Sequence, residues 1–210
     1  MNNYTKIFLV ALLLLGISYI NEINDPNYIY SKKSLFDYIH IYTIRYLHYI
    51  IFLFSSLYLF FFNGIGTNYD IYIFLVLSMS IVLGWKIFDS SCWISYLELL
   101  FYNIYLENRK TSLQPAFIFV FGKYNDYVMI LSGLLFLFNV IVLLYYVKPI
   151  HILYKILYYI LFLYLLLDGM IMSRWFQYLY SSKNKNILFL KNLHHTYISY
   201  MKYYFPSIVE

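Results

Sequence analysis

Apolar residues along this chain run in continuous blocks instead of alternating with polar ones. Five blocks stand out, at residues 6–20, 44–62, 70–88, 127–147 and 152–173. A bilayer core needs about 20 apolar residues in a helix, and an uninterrupted run lacks the alternation of a barrel strand. The pattern predicts an all-α polytopic membrane protein with about five transmembrane helices, forming a single integral membrane domain over residues 1–210. The first block, "KIFLVALLLLGISYI", is short, has one basic residue ahead of it and lacks a small-x-small cleavage site. A retained helix is expected over a cleaved signal peptide. Two further stretches do not fit a span. Residues 92–106 are too short, and read as an interfacial segment or an extension of the third helix. Residues 187–205 are amphipathic: at about 100° per residue, Ile187, Leu190, Leu193, Tyr197, Met201 and Tyr204 share one face, and Lys191, His195, Ser199 and Lys202 the other. This suits an interfacial helix with a basic face toward anionic headgroups, or a helix packed on the protein's own inner loops.

Composition supports the membrane class. Hydrophobic residues make up 62% and charged residues 12%, against about 25% charged in soluble domains; mean hydropathy is +0.64. Tyr (28) and Phe (19) are abundant while Gly (7) and Pro (4) are scarce. This bias matches AT-rich codons and fits a viral, organellar or bacterial genome. With five spans, Lys6, Lys148 and Lys155 fall on one side and the other twelve Lys and Arg residues on the opposite side. The positive-inside rule then orients the N-terminus outside and the C-terminus in the cytoplasm, with the uncharged-by-Lys/Arg turn "NGIGTNYD" outside. The net charge of +5 is distributed by topology, so it argues for orientation and against a nucleic-acid partner.

The rarest residues gather in one layer. Arg45 and His48 open the second block, Lys86 closes the third, and Asp168 lies about 9 Å inside the end of the fifth, six residues before Arg174. All four are expected near the inner leaflet, where Cys92, Ser95 and Glu98 follow. An ion inside a span is disfavoured by about 2.5–3.5 kcal/mol at the centre, so Asp168 is expected to pair with Lys86 or Arg45. The bland alternative is that the basic side chains reach up to the interface and the layer only sets depth. A helix through Cys92 would turn Glu98 about 120° away from it, while Ser95 and Glu98, at i and i+3, share a face. The stripe Cys92, Tyr96 and Leu99 is expected to face the second helix near His48, with Ser95 and Glu98 at its edge and Glu98 capping an N–H or pairing with Arg45. No metal or cofactor is expected: His48 and His151 fall on opposite sides of the membrane, and neighbouring His194 and His195 point apart. The single cysteine excludes an intramolecular disulfide.

The stretch "CWISYLE" (92–98) fits Cys-x-Ile/Leu-Ser/Thr-x-Leu-Glu, after a Trp near a helix end and a His at the start of the preceding helix. It resembles a bacterial family of small four-helix membrane proteins of unknown function with the motif CPLTxLE, and multi-pass membrane proteins of giant viruses. The resemblance covers about residues 40–106 and marks His48, Trp85, Cys92, Ser95 and Glu98. Trp93 stands where the bacterial motif has proline, and Gly84 precedes Trp85. Neither family has an assigned activity, so the resemblance implies an arrangement and no reaction.

No catalytic motif is present. The expected role is a non-enzymatic membrane scaffold or assembly component of a viral or host membrane. The alternatives are a small transporter or lipid-binding subunit using the polar layer, and third a membrane enzyme or redox protein. Membrane lipids, including anionic headgroups, are expected partners; a homo-oligomer or a membrane-protein complex is open.

Overall fold

A computed structural model describes residues 2–24, 34–88, 92–102, 115–148, 150–167 and 185–206, and every regular element among them is helical. In chain order these are α1 (Asn3–Ile23), α2 (Leu35–Ser56), α3 (Tyr58–Phe61), α4 (Asn68–Ile87), α5 (Trp93–Phe101), α6 (Pro115–Phe121), a 3-10 turn (Gly122–Tyr124), α7 (Asn125–Tyr146), α8 (Ile152–Leu166) and α9 (Lys185–Tyr204). Among the described residues, three stretches are long and apolar enough to cross a membrane: α1, α4 and Ala116–Tyr146. α8 is a shorter apolar helix.

The second apolar block differs from expectation at both ends. α2 begins at Leu35, nine residues earlier, because Ser34 caps Asp37 N–H and Asp37 sits in the first turn. It stops at Ser56, and the block ends in the separate single turn α3. A broken helix exposes carbonyls that need donors. Asn139 of α7 supplies them, its Nδ2 donating to Ser55 O at 2.9 Å and Ser56 O at 3.0 Å. The following turn uses positive φ at Asn63, Gly64 and Gly66. At Gly66 a Cβ would lie 2.8 Å from Tyr58 Oη, and that hydroxyl donates to Ile65 O at 3.1 Å. Thr67 and Asp70 then form a capping box at the start of α4, and Tyr4 of α1 donates to the Asp70 carboxylate.

α6 was not anticipated from the sequence. It runs into α7 through Gly122, whose φ of +52° lets the chain change direction. α6 packs on α1 and α2, with Asn21 Nδ2 donating to Phe119 O at 2.7 Å and Tyr49 Oη donating to Ala116 O. The main core joins α1, α2, α4, α7 and α8, with edge-on and tilted contacts among the rings of Phe54, Tyr58, Phe74, Phe136 and Phe162. α8 is tied to α4 where Tyr158 Oη donates to Leu75 O at 2.7 Å. Most of α8 is nonetheless exposed, with only Phe162 and Leu165 buried.

α5 packs on α2, and its start lies beside His48 while its end lies beside Phe36 and His40, so the two run antiparallel. The expected interfacial stretch 92–106 is therefore a helix of nine residues with most of its side chains buried; residues 103–106 lie outside the described ones. The close start of α5 depends on Gly84, because a Cβ there would lie 2.7 Å from Trp93 Cδ1.

α9 docks on this same end through His194, Tyr197, Ile198 and Met201. His194 meets the Phe101 ring edge-on at 4.7 Å, and Tyr197 Oη and His40 Nε2 are hydrogen-bonded at 2.8 Å. The face expected to be uniform is thus divided. Met201 and Tyr197 turn to the protein, while Leu193 and Tyr204 are exposed.

Replacing Gly84 by Leu is expected to lower thermal stability in detergent by about 1–3 kcal/mol, the usual effect of overpacking. Adding Trp93→Ala should restore most of it. A Gly84→Leu protein that melts like the wild type would show that the α4–α5 approach is not tight.

Candidate functional site

The polar layer is built where the C-terminal part of α1, the first half of α2, and α5 meet. Arg45 stands at its centre, fully buried with Glu22 and Glu98. A buried guanidinium is tolerated only when its donors are matched. Here all five N–H groups are engaged. Nε and Nη2 donate to Glu98 Oε1 at 2.8 and 2.6 Å, Nη1 donates to Ser18 Oγ and Glu22 Oε2, both at 2.6 Å, and Nη2 also donates to Tyr102 Oη at 2.7 Å. Tyr102 and Tyr42 in turn donate to the Glu22 carboxylate. The guanidinium carbon lies 5.2 Å from the Tyr42 ring centroid and 5.3 Å from that of Phe119, within cation–π range.

One turn along α2, His48 meets Cys92, the residue that caps α5, with Nε2 at 3.4 Å from Sγ. The ring edge-packs on Phe117 at 4.7 Å. Cys92 is half-buried. Burial pushes its thiol up, but the His48 imidazole, followed by the backbone N–H groups of Ser95 and Ile94 at the start of α5, brings it down to about 7. Burial likewise pushes the Glu98 carboxyl up, and the Arg45 guanidinium only partly opposes it. The two contacts, Arg45–Glu98 and His48–Cys92, bracket Ser95. Three buried atoms in this stretch have no hydrogen-bond partner: His48 Nδ1, Ser95 Oγ and Glu98 Oε2.

The structure brings together Arg45, His48, Cys92, Ser95 and Glu98. Ser95 and Glu98 are at the centre of the α2–α5 contact and not at its edge, since Glu98 is fully buried and Ser95 is 3% exposed. The misalignment expected between Cys92 and Glu98 does not apply, because Cys92 has extended backbone ahead of the helix and is not part of its face. Lys86 lies exposed at the end of α4. Asp168, expected to pair with Lys86 or Arg45, lies outside the described residues. No group of three or more His, Cys, Asp or Glu residues suited to a metal occurs among the described residues.

No protein-family model, curated protein or solved structure matches this chain. The site therefore stands on its own geometry.

Sequence reasoning missed Ser18, Glu22, Tyr42, Tyr102 and Phe119. Ser18 and Glu22 carried one usable signal: at i and i+4 they share a face of α1, and Glu22 lies just beyond the block that ended at residue 20. Nothing local marks Tyr102 or Phe119 in a chain so rich in aromatics.

Arg45→Met should destabilise the protein by about 3–5 kcal/mol, because it leaves two buried carboxylates uncompensated. Replacing Glu22 and Glu98 with Met as well should recover most of that in detergent melts; an unchanged melt for Arg45→Met alone would refute the central role of the guanidinium. For Cys92, a lowered pKa populates the thiolate at neutral pH, so the iodoacetamide rate should rise with a midpoint near pH 7. His48→Asn should move that midpoint to about 8.5 or above, the ordinary thiol range. A wild-type midpoint already in that range would mean that His48 does not activate the thiol.

Proposed function

We propose that this is a multi-pass integral membrane protein of about five spans, with α2 and α8 completing the set begun by α1, α4 and α7. Its N-terminus is outside and its C-terminus cytoplasmic, and α9 lies at the inner interface. In this reading α9 has three strips: one docked on the protein, one apolar and exposed (Phe189, Leu193, Tyr200, Tyr204), and one carrying Lys191, His195 and Lys202. That division suits a helix held between protein, acyl chains and anionic headgroups.

Within a viral or host membrane the protein acts as a non-enzymatic scaffold or assembly component. The observation that carries this is the saturation of Arg45 by groups of the chain itself. A substrate-binding arginine needs donors left for its ligand; this one braces three helices. The exposed side of α7 and α8, with Tyr127, Leu134, Phe138, Ile156 and Tyr164, supports contact with lipid, a second copy or another membrane protein. Stoichiometric co-purification of a membrane protein, or a stable homo-oligomer, is the expected result after mild crosslinking in native membranes and mass spectrometry. A monomer carrying only exchangeable lipid would overturn it.

A second reading, a lipid-binding subunit, is favoured by one feature. A groove of about 730 Å³ between α1 and α2 is lined by Leu12, Leu15, Tyr19, Ile39, Tyr42 and Tyr46. A tightly bound lipid lost on Leu15→Trp would support that reading.

Orientation is tested separately. Single cysteines at Thr67 and Ser207 in a Cys92→Ser background should label from opposite sides of sealed vesicles. Labelling from the same side would sink the five-span topology.

A further inference from the structure

Cys92 and His48 are not needed to brace Arg45, and their geometry suits chemistry that a scaffold alone does not require. His48 is 6% exposed and directs Nε2 at the Cys92 sulfur from 3.4 Å, the arrangement of a thiol with its base. Its other nitrogen, Ser95 Oγ and Glu98 Oε2 are buried without a partner, although native interiors pair such atoms. These atoms point to a polar group of a ligand entering here. Cys92 itself is half-buried.

The identity of the electrophile follows from the surroundings. The chain has one cysteine, so a dithiol–disulfide cycle lacks its second thiol. The thiol lies five residues beyond the end of α4, a helix able to cross the membrane, and opens the apolar helix α5. A juxtamembrane cysteine there meets activated fatty acids, the donors of reversible S-acylation. We propose that Cys92 is a self-acylating site that takes a long-chain acyl group from an acyl-coenzyme A, with His48 as the proton acceptor.

The step balances without any further reactant. The Cys92 thiol gives its proton to His48 Nε2, and the thiolate adds to the thioester carbonyl. The bond to the coenzyme A sulfur breaks, a new thioester forms on Cys92, and the departing thiolate takes the proton back from the imidazolium. Ser95 Oγ, bracketed by the two α2–α5 contacts, is the group available to donate to the carbonyl oxygen as charge develops. The acyl chain would add an anchor beside α5 and strengthen attachment to the bilayer by burying its methylenes.

The inference rests on the inner-leaflet placement of this site, but its test does not. Purified full-length protein in detergent exposes both faces, so failure here is distinct from failure of the topology experiment. With palmitoyl-coenzyme A, intact-mass spectrometry should show one palmitoyl group on the wild type, removed by neutral hydroxylamine and absent from Cys92→Ser. The wild-type rate should level off above a midpoint near pH 7. In His48→Asn it should fall several-fold at pH 7 and regain ground toward pH 9, because a thiolate of higher pKa is scarcer but more nucleophilic. Acylation of Cys92→Ser at the wild-type rate would overturn the site, and equal pH profiles for wild type and His48→Asn would overturn the role of His48. A wild type that reacts with iodoacetamide but takes no palmitoyl group would overturn the acyl assignment. Should His48→Asn fail to fold, the wild-type profile decides alone: a rate still climbing log-linearly through pH 9 refutes an activated thiol.

Discussion

The packing of α1, α2 and α5 depends on one buried charge. Arg45 is sealed from solvent, and an isolated guanidinium in such a place would be strongly disfavoured. Its five donors draw four acceptor atoms together from α1, α5 and the residue that ends α5, Glu98 Oε1 accepting twice. Two carboxylates against one guanidinium leave the cluster short of positive charge. The strain is relieved in part by Tyr42 and Tyr102 donating to Glu22, and it is left unrelieved at Glu98 Oε2. A buried ion pair seldom adds net stability over apolar packing, but breaking one is costly. The cluster is better understood as a device that permits one arrangement of three helices than as a source of stability.

Beside an apolar core, the described residues pair buried polar groups with an apolar exposed surface. Ser18, Glu22, Arg45, His48, Ser95 and Glu98 are buried, while Leu131, Leu134, Phe138, Ile156, Leu157 and Leu161 are exposed. In hydrocarbon, polar groups have no water to turn to and must satisfy one another inside the bundle. The same rule accounts for Asn139, which serves the two carbonyls where α2 breaks, and for Tyr158, which draws a second donor–acceptor pair with Ser78 between α4 and α8. Asn139 and Tyr158 thus each answer a particular backbone need, whereas His48 Nδ1, Ser95 Oγ and Glu98 Oε2 are left without a partner.

The brace and the thiol site share the α2–α5 contact, and this sharing has a functional consequence. Arg45–Glu98 holds the register that brings Cys92 to His48, three residues further along α2. Under the proposed acylation, the acyl anchor and the α2–α5 packing would reside on the same structural element.

Hydrophobic patterning alone determined the helical class and, to within a few residues, the positions of α1, α4 and α7, because about 20 consecutive apolar residues have few other stable solutions. It also drew Arg45, His48, Cys92, Ser95 and Glu98 into one layer, since charge within an apolar run is visible locally. It missed the early start of α2, where Asp37 and His40 lower the hydropathy of residues that are helical through capping and packing. It missed α6, which is seven residues long and secured by Asn21 from the opposite end of the chain. Which groups answer Arg45 was decided only in three dimensions. Glu22, Glu98 and Tyr102 stand 23, 53 and 57 residues away in sequence, and no local spacing links them. They meet because α1 and α5 both pack against α2, and a buried guanidinium there needs its donors matched.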